Sequence, residues 1–333
     1  MRYLVVCDYR EKFKNYAQKE QEAYNDHPSQ KSITEIIASV NSLGYSCEYF
    51  GGIPELVHAV EHHLSFKDSM FLNFTDGMEQ NYSRVQAPVL LDILNVPYSG
   101  SGVFSSVLMN NKHFCKQALQ KYNIVMPKSC IVNSVIPINQ KELKQWKYPL
   151  FVKPNCEGSS LGISHKSVCH TIEEVIDRVE ELGKEFNELI IEEYVSGIDV
   201  TNYLIGNGET YYINDVIVAE LLDKSPYAVY GTIEKQKKLR TLFFNEEIIP
   251  PSTLQDIRNQ SLKIAKIIGA KDICRIDYRL DVNTKTLNFL EINSAPRFSS
   301  TSEIGFIANK REITFAQMIQ YYLQAFNDRI QTS

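Results

Sequence analysis

Several features that mark particular protein classes are missing from this sequence of 333 residues. No apolar run approaches the roughly 18 residues that a membrane-spanning helix needs. The first ten residues, MRYLVVCDYR, lack the apolar segment and cleavage site of a signal peptide. The net charge is -5, and no run of lysine and arginine suggests a nucleic-acid-binding surface. We therefore expect a cytoplasmic protein that has neither a membrane nor a nucleic acid as its partner.

Cysteine motifs and glycine motifs are also scarce. The seven cysteines are odd in number and never spaced as Cys-x-x-Cys, which argues against a disulfide framework and a zinc knuckle. No Gly-x-Gly-x-x-Gly follows the first predicted strand, and the Gly-x-x-x-x-Gly-Lys-Ser/Thr pattern is missing. We therefore expect neither a dinucleotide-binding fingerprint nor a P-loop.

The first hundred residues do contain a regular alternation of strand and helix. Apolar spacing predicts, in order, a strand at 2–7, a helix at 33–43 closed by Gly44, strands at 45–50 and 69–74, and a helix at 84–94. This order is typical of a parallel sheet. We assign residues 1–103 to an N-terminal α/β domain and expect one helix over residues 104–122.

The rest of the chain has a different organisation. The predicted elements are, in order, strands at 148–154 and 188–195 around a helix at 171–185, a hairpin turning at 206–209, a helix ending at Ala270, strands at 274–281 and 286–293, and a helix at 314–326. Residues 221–250 have weak periodicity and predict an irregular, mobile loop. We therefore expect an α+β region after the N-terminal domain, divided into residues 104–190 and 191–333.

Polar side chains recur along the last two predicted strands. Glu291 and Asn293 lie two residues apart and share a face, and Asp277 can face them from the neighbouring strand. Oxygen ligands grouped in this way suit Mg²⁺. Arg275 shares the face of Asp277 and can stabilise charge during phosphoryl transfer. A polar sheet face with solvated charges is the alternative interpretation.

A loop and an extended segment hold further candidates, in this case for nucleotide binding. The segment KPNCEGSSLG, residues 153–162, places Lys153 before a loop whose N–H groups and hydroxyls can bind phosphate. In IIEEYVSGIDV, residues 190–200, Glu192 can accept from an adenine amine and Asp199 from ribose hydroxyls. An ordinary turn, and an ordinary strand with a turn, are the respective alternatives.

A different function is suggested by His58, Glu61 and His62, which match the His-x-x-Glu-His pattern of inverted zinc peptidases. The two histidines share a face of the predicted helix. The helix is short, however, and no helix that could supply a third ligand is visible. Surface histidines placed by chance are therefore the favoured interpretation.

Taken together, the segments FVKPNCEGSSLGIS, EEYVSGID, CRIDYRLD and LEINSAP resemble the ATP-grasp superfamily, most closely its D-alanine–D-alanine ligase branch. The resemblance runs from about residue 70 to the end, and includes LNFTDG, QAPVLLDILNVPYSGSG and the pair Asn111-Lys112. It implies two ATP-grasp subdomains with the nucleotide between them. It also implies ATP and two Mg²⁺ ions as cofactors, with Mn²⁺ as a substitute.

The resemblance implies roles for individual residues. Asp277, Glu291 and Asn293 would hold the metal ions, and Arg275 would contact the transferred phosphoryl group. The nucleotide-binding positions would be Lys112, Lys153, Glu157, Ser160, Glu192, Tyr194, Val195 and Asp199. The other catalytic candidates are Ser159 in the phosphate loop, Arg297 beside the acyl site, and Ser302, which matches the serine that holds the second substrate's carboxylate.

The sequence departs from the family in three places. The family's Gly-Gly-x-Ser-x-Glu segment is not visible, and the candidates for its glutamate are Glu20, Glu22 and Asp26. The tyrosine and lysine of the family's substrate-covering loop have as candidates Tyr230, Lys235 and Lys237. Where the family has Asn-x-x-Pro-Gly, this chain has Pro296-Arg297, which adds a bulky cation beside the acyl site.

The implied activity is ATP-dependent carboxylate–amine ligation through an acyl phosphate, with amino acids or amino-acid-like acids as substrates. One alternative is a specialised ligase that transfers an amino acid to a carrier-protein thiol, an amino sugar or a peptide. Another is a catalytically silent nucleotide-binding regulator, against which the retained metal and arginine positions argue. Dimers are usual in this branch, so analogy predicts a homodimer.

Overall fold

The computed structural model of the chain describes residues 2–13, 24, 27–78, 82–158, 160–223, 227, 229, 231, 237, 240–244, 249–281 and 284–332, with the backbone alone at 243 and 244. The chain forms three sheets in this part: one parallel and two antiparallel. The predicted mixture of a parallel N-terminal sheet and an α+β remainder is therefore confirmed. None of the helices in the described ranges is both long and apolar enough to cross a membrane.

The first sheet is parallel, with β1 between its two partners. Its strands are β1 (Arg2–Val6), β2 (Ser46–Gly51) and β3 (Ser69–Asn73). Tyr3 and Val5 are buried on one face, and Leu4 and Val6 on the other. Because both faces are covered, the strand reads as a continuous apolar run instead of an alternating one.

Helices cover both faces of this sheet. They are α1 (Gln30–Ser42), α2 (Ile53–Glu61) and α3 (Gln86–Ile93). The hydroxyl of Ser29 accepts from the backbone N–H of Ser32 and caps the start of α1. Gly44 follows the end of α1 with φ of +87°, a conformation that favours glycine, as predicted.

The helix predicted over residues 104–122 is wrong as a single element. The structure has α4 (Val103–Asn110), α5 (Lys112–Leu119) and a 3₁₀ turn at Gln120–Tyr122. Asn111 separates the two helices because its backbone is extended and its side chain accepts from the Phe114 N–H. Asparagine is a strong N-cap residue, and this local bond outweighs the continuous helical pattern.

The second sheet is antiparallel, in the order β4-β7-β5-β6. Its strands are β4 (Ser129–Asn133), β5 (Leu150–Pro154), β6 (Val168–Cys169) and β7 (Glu188–Glu193), accompanied by α6 (Gln140–Leu143) and α7 (Ile172–Leu182). Every residue from 188 to 193 pairs within this sheet. The boundary placed at residue 190 therefore falls inside β7.

The third sheet is antiparallel, in the order β10-β9-β8-β11-β12. Its strands are β8 (Ile198–Asn207), β9 (Thr210–Leu221), β10 (Arg240–Phe244), β11 (Ile273–Asp281) and β12 (Thr286–Asn293). The hairpin at 206–209 is confirmed. The irregular loop expected over 221–250 is wrong at β10, an edge strand that forms by pairing with the distant β9.

Three helices pack around the third sheet: α8 (Pro251–Ile268), α9 (Glu303–Lys310) and α10 (Phe315–Thr332). One face, including Val200 and Ile276, forms a core with α8. The other, including Tyr203 and Ile217, joins the core of the parallel sheet. The N-terminal and C-terminal parts of the chain are thus held together by one apolar core.

A buried carboxylate joins these parts as well. The side chain of Asp272 is fully buried and accepts from the Arg329 guanidinium at 2.7 and 2.8 Å. It also accepts from the Gly100 N–H at 2.8 Å and the Asn207 amide at 2.9 Å. Arg329 donates further to the Tyr98 carbonyl at 2.7 Å. A single ion pair therefore connects α10, the third sheet and the loop that follows α3.

Replacing Arg329 with methionine is expected to lower the free energy of unfolding by about 2–3 kcal/mol. The buried charge of Asp272 would lose the guanidinium and keep only the hydrogen bonds from Gly100 and Asn207. Chemical denaturation measures this change. Lys266→Met is the matched control, because Lys266 pairs with Glu209 on the exposed surface and such pairs contribute about 0–1 kcal/mol. Equal effects of the two variants would contradict this assignment.

Candidate active site

A cleft of about 740 Å³ opens between the second and third sheets, beside loops of the N-terminal domain. This is the usual size of a small-molecule site. Every described residue of the predicted site lines it: Lys112, Lys153, Glu157, Ser160, Glu192, Tyr194, Val195, Asp199, Arg275, Asp277, Glu291, Asn293, Arg297 and Ser302. Ser159 lies outside the described residues.

The predicted metal ligands are brought together by the register of β11 and β12. Asp277 pairs with Glu291, and Arg275 pairs with Asn293. The side-chain NH₂ of Asn293 donates to a carboxylate oxygen of Asp277 at 3.1 Å and to one of Glu291 at 3.4 Å. We call Asp277, Glu291 and Asn293 the acidic cluster.

Opposing charges act on this cluster. Burial resists ionisation of Glu291, but the charges of Lys112, Lys153 and Arg275 outweigh it and lower the pKa of Glu291 to about 2. Burial raises the pKa of Asp277, and the charge of Glu291 adds to this rise despite the guanidinium of Arg275 at 2.8 Å. The two carboxylates repel each other, and together with the side-chain oxygen of Asn293 they offer a set of hard oxygen ligands of the kind that magnesium prefers.

Three buried charges lie on the opposite side of the cleft, and two of them, Glu192 and Lys153, line it. One carboxylate oxygen of Glu192 lies 2.7 Å from the Lys153 ammonium, and the other accepts from Lys116. The side chains of Lys116, Glu192 and Lys153 are 2%, 3% and 8% exposed. Although burial opposes it, the charges of the two lysines lower the pKa of Glu192 to about 2. We call these three residues the charge ladder.

The charge ladder changes the interpretation of Glu192. The sequence pattern assigned its carboxylate to an adenine amine, yet both oxygens already accept from lysines. Its first role in the structure is to hold Lys153 in the cleft. Lys116 was missed by the sequence reasoning, although its position four residues after Lys112, one turn along the same helix, is a usable signal.

The loop after β5, residues 155–162, belongs to the segment predicted to bind phosphate, and we call it the phosphate loop. It contacts the start of α5. The ammonium of Lys112 donates to the Glu157 carbonyl and lies 3.3 Å from Glu291. It therefore connects this loop to the acidic cluster. A Cβ at Gly158 would lie 3.2 Å from the guanidinium of Arg84, which pairs with Asp76 at 2.7 Å. Glycine thus lets the loop approach the N-terminal domain.

The segment after β7 forms the end of the cleft expected to hold the base. Tyr194 and Val195 line the cleft there, and the Tyr194 N–H donates to the Pro149 carbonyl at 3.0 Å. Asp199, the predicted ribose ligand, pairs with Arg279 at 2.7 Å, and this guanidinium lies 6.0 Å from the centre of the Tyr194 ring. Arg279 was not predicted, although it continues the alternating face of Arg275 and Asp277.

The far end of the cleft is built by the loop between β12 and α9. The Ser302 hydroxyl lies 3.0 Å from the Arg297 carbonyl and 2.8 Å from the Ser299 carbonyl, and so closes the loop on itself. Glu35 of α1 accepts from the Ser300 N–H at 3.3 Å. A carboxylate from the N-terminal domain therefore reaches this loop, and the sequence reasoning had not considered Glu35.

The other candidates at this end are only partly described. Glu20, Glu22, Asp26, Tyr230 and Lys235 lie outside the described residues. Lys237 is exposed and is not among the residues that line the cleft.

The histidine pattern lies away from the cleft. The side chains of His58, Glu61 and His62 are exposed on α2, with ligand atoms within 4.8 Å of one another. None of the three lines the cleft. Two histidines at helical spacing account for this proximity.

Comparison with known proteins identifies the family. Residues 118–324 match the family model described as D-ala D-ala ligase C-terminus. The D-alanine–D-alanine ligase of Carboxydothermus hydrogenoformans is 26% identical over 245 residues, covering 70% of this chain and 74% of that protein. The ligase of Fervidobacterium nodosum is 27% identical over 270 residues, covering 77% of this chain and 81% of that protein.

Solved structures share the fold over the whole chain. The ATP complex of the Bacillus anthracis D-alanine–D-alanine ligase has a TM-score of 0.75 at 19% identity and covers all of both chains. The VanG D-Ala:D-Ser ligase from Enterococcus faecalis has a TM-score of 0.75 at 18% identity, covering 98% of this chain and 99% of that one. The fold is therefore the ATP-grasp fold. Since the family model spans well over half of the residues, the chain belongs to the D-alanine–D-alanine ligase family of ATP-dependent carboxylate–amine ligases.

Proposed function

We propose that the chain joins an amino acid, or an acid that resembles one, to an amine and consumes one ATP for each bond. The supporting observation is that the acidic cluster and the cations Lys112, Lys153 and Arg275 line one cleft. Phosphoryl transfer depends mainly on positioning and on neutralising phosphate charge, and these residues supply both. D-alanyl-D-alanine, in keeping with the names of the relatives, is the first product to look for.

In this proposal the nucleotide lies between the second and third sheets. Its base rests against Tyr194 and Val195, and its ribose bonds to Asp199. Its phosphates extend toward Lys112 and Lys153, under the phosphate loop with Glu157, Ser159 and Ser160. We accordingly place the domain limits near residues 103 and 193, the second moved from 190 so that β7 stays whole.

The acidic cluster would hold Mg²⁺, as two ions in keeping with the family resemblance, with Mn²⁺ as a substitute. The metal would supply neutralisation of the nucleotide's phosphate oxygens. Asp277 also holds Arg275 by an ion pair at 2.8 Å, so that the guanidinium stays beside the cluster. Lys112 links Glu291 to the phosphate loop. These contacts orient the cations before a substrate binds.

The reaction has two transfers. A carboxylate oxygen of the first substrate attacks the γ-phosphorus of ATP, the bond to the bridging oxygen breaks, and ADP leaves with that electron pair. The amine of the second substrate then attacks the acyl carbon and loses a proton, and phosphate leaves with the electrons of the C–O bond. Lys112, Lys153 and Arg275 would stabilise the charge on the transferred group.

Phosphate release with ATP, Mg²⁺ and a panel of D- and L-amino acids, given singly and in pairs, tests the proposal. We expect release that depends on both ATP and an amino acid, with an amide product identified by mass spectrometry. ATP binding without turnover across the panel would contradict a ligase and favour the silent regulator. Turnover without any dipeptide would point to another acceptor.

Replacing Asp199 with asparagine is expected to raise the KM for ATP about tenfold and to change kcat little, because a carboxylate hydrogen bond to the ribose contributes about 1.5 kcal/mol. Steady-state kinetics with varied ATP measures this. Asp328→Asn, at an exposed position on α10, is the control. A change in kcat with an unchanged KM for ATP would contradict a contact between Asp199 and the ribose.

A further inference from the structure

Arg297 differs from the other cations of the cleft. Each other described lysine or arginine that lines the cleft lies within 4 Å of a carboxylate, in the pairs Arg84–Asp76, Lys112–Glu291, Lys153–Glu192, Arg240–Glu303, Arg275–Asp277 and Arg279–Asp199. Arg297 has no such partner among the described residues. Its positive charge is therefore available to a substrate.

The backbone that carries this charge is held firmly. Phe298 is 4% exposed, and its ring centre lies 5.4 Å from that of Tyr322 and 5.9 Å from that of Phe74. The Ser302 hydroxyl lies 3.0 Å from the Arg297 carbonyl. The side chain of Arg297 is itself exposed and lines the cleft. A fixed backbone with an exposed guanidinium is a suitable arrangement for binding an anion.

The position of Arg297 favours the substrate end of the cleft over the nucleotide. It follows Asn293 by four residues and belongs to the loop that Glu35 contacts through Ser300. The proposed phosphate positions are already faced by Lys112, Lys153 and Arg275. A guanidinium binds a carboxylate through two parallel hydrogen bonds, a geometry that an ammonium cannot offer.

We propose that Arg297 binds the side-chain carboxylate of a substrate, and that this substrate is a dicarboxylic amino acid of the aspartate or glutamate type. The inference rests on the proposed ligase function and specifies its substrate class. The side-chain carboxylate of such an amino acid supplies the anion that Arg297 lacks among the residues that the structure describes. The corresponding amide, asparagine or glutamine, has the same shape without the charge.

The test compares kcat/KM for aspartate and glutamate with kcat/KM for asparagine and glutamine, using both enantiomers of each. The wild-type protein is expected to favour the acids at least tenfold. Arg297→Gln is expected to reduce this ratio to within about twofold of unity, and Arg297→Lys to retain part of it. Arg258→Gln, on α8 outside the cleft, is the control and keeps the wild-type ratio.

Three other outcomes would contradict the substrate inference, and one of them would also contradict the ligase function. An equal loss of kcat for all substrates in Arg297→Gln would mean that the guanidinium acts on the phosphoryl group, and the substrate inference would fail while the ligase function stands. Wild-type turnover with no preference for the acids would overturn the inference in the same way. No ATP-dependent turnover with any substrate would overturn both the ligase function and the inference. Unfolding curves check that Arg297→Gln remains folded.

Discussion

Glu291→Gln is expected to lower ATP-dependent phosphate release by at least about 100-fold. Loss of a group that only supports a metal ligand typically costs about 10–100-fold, and Glu291 is proposed as a ligand itself. The substitution removes one of the two carboxylates of the acidic cluster and keeps the shape of the side chain. It also removes the ion pair with Lys112 at 3.3 Å, which links the cluster to the phosphate loop. Both losses weaken the neutralisation of phosphate charge.

The control for this variant is Glu209→Gln, the same chemical change at an exposed hairpin position that pairs with Lys266. It should leave turnover unchanged. Thermal unfolding of Glu291→Gln separates loss of function from loss of fold. Full turnover in a folded Glu291→Gln protein would show that the metal assignment is wrong, while Mg²⁺-dependent nucleotide binding at wild-type strength would restrict the role of Glu291 to chemistry.

The second large effect is expected from the charge ladder. Glu192→Gln should lower the free energy of unfolding by about 3–5 kcal/mol, because breaking a buried ion pair leaves charge without compensation. In this case two lysines, Lys116 and Lys153, lose the carboxylate that they share. Urea denaturation without nucleotide measures the effect on the fold apart from any effect on binding.

A second substitution tests whether uncompensated charge causes the loss of stability in Glu192→Gln. The double variant Lys116→Met/Glu192→Gln also removes one of the two lysines that have lost their carboxylate. Its free energy of unfolding should therefore be about 1–3 kcal/mol higher than that of Glu192→Gln. Coupling of this kind is not expected for a purely steric effect. If the double variant is destabilised by the sum of both single changes, the charge ladder does not stabilise the fold in the way we describe.

Glu192 also gives the stability of the fold an expected pH dependence. The pKa of Glu192 is about 2 in the folded protein, below its ordinary value of 4.5. Its contribution to stability is therefore fully present above about pH 4.5 and is lost as the pH falls toward 2. The difference in unfolding free energy between the wild-type protein and Glu192→Gln should be constant near neutral pH and narrow below pH 4.5.

Much of the fold followed from local patterns. Strand period placed Glu291 and Asn293 on one face, and antiparallel pairing brought Asp277 opposite them. Two predictions about the fold, the single helix over 104–122 and the loop over 221–250, were wrong for physical reasons. Asn111 breaks a helical pattern because its side chain caps the next helix. The strand β10 exists only because β9, distant in the chain, offers it an edge.

The family motifs, the alternation of strands and helices, and the positions along them of the proposed metal and phosphate ligands all follow from the order of the amino acids alone. The folded structure adds that Lys116 and Lys153 share Glu192, that Glu35 reaches Ser300, and that Arg297 has no carboxylate partner among the described residues. Periodicity and capping act within a turn or a pleat of the backbone. An ion pair depends on the packing of segments far apart in the chain, which no local pattern specifies.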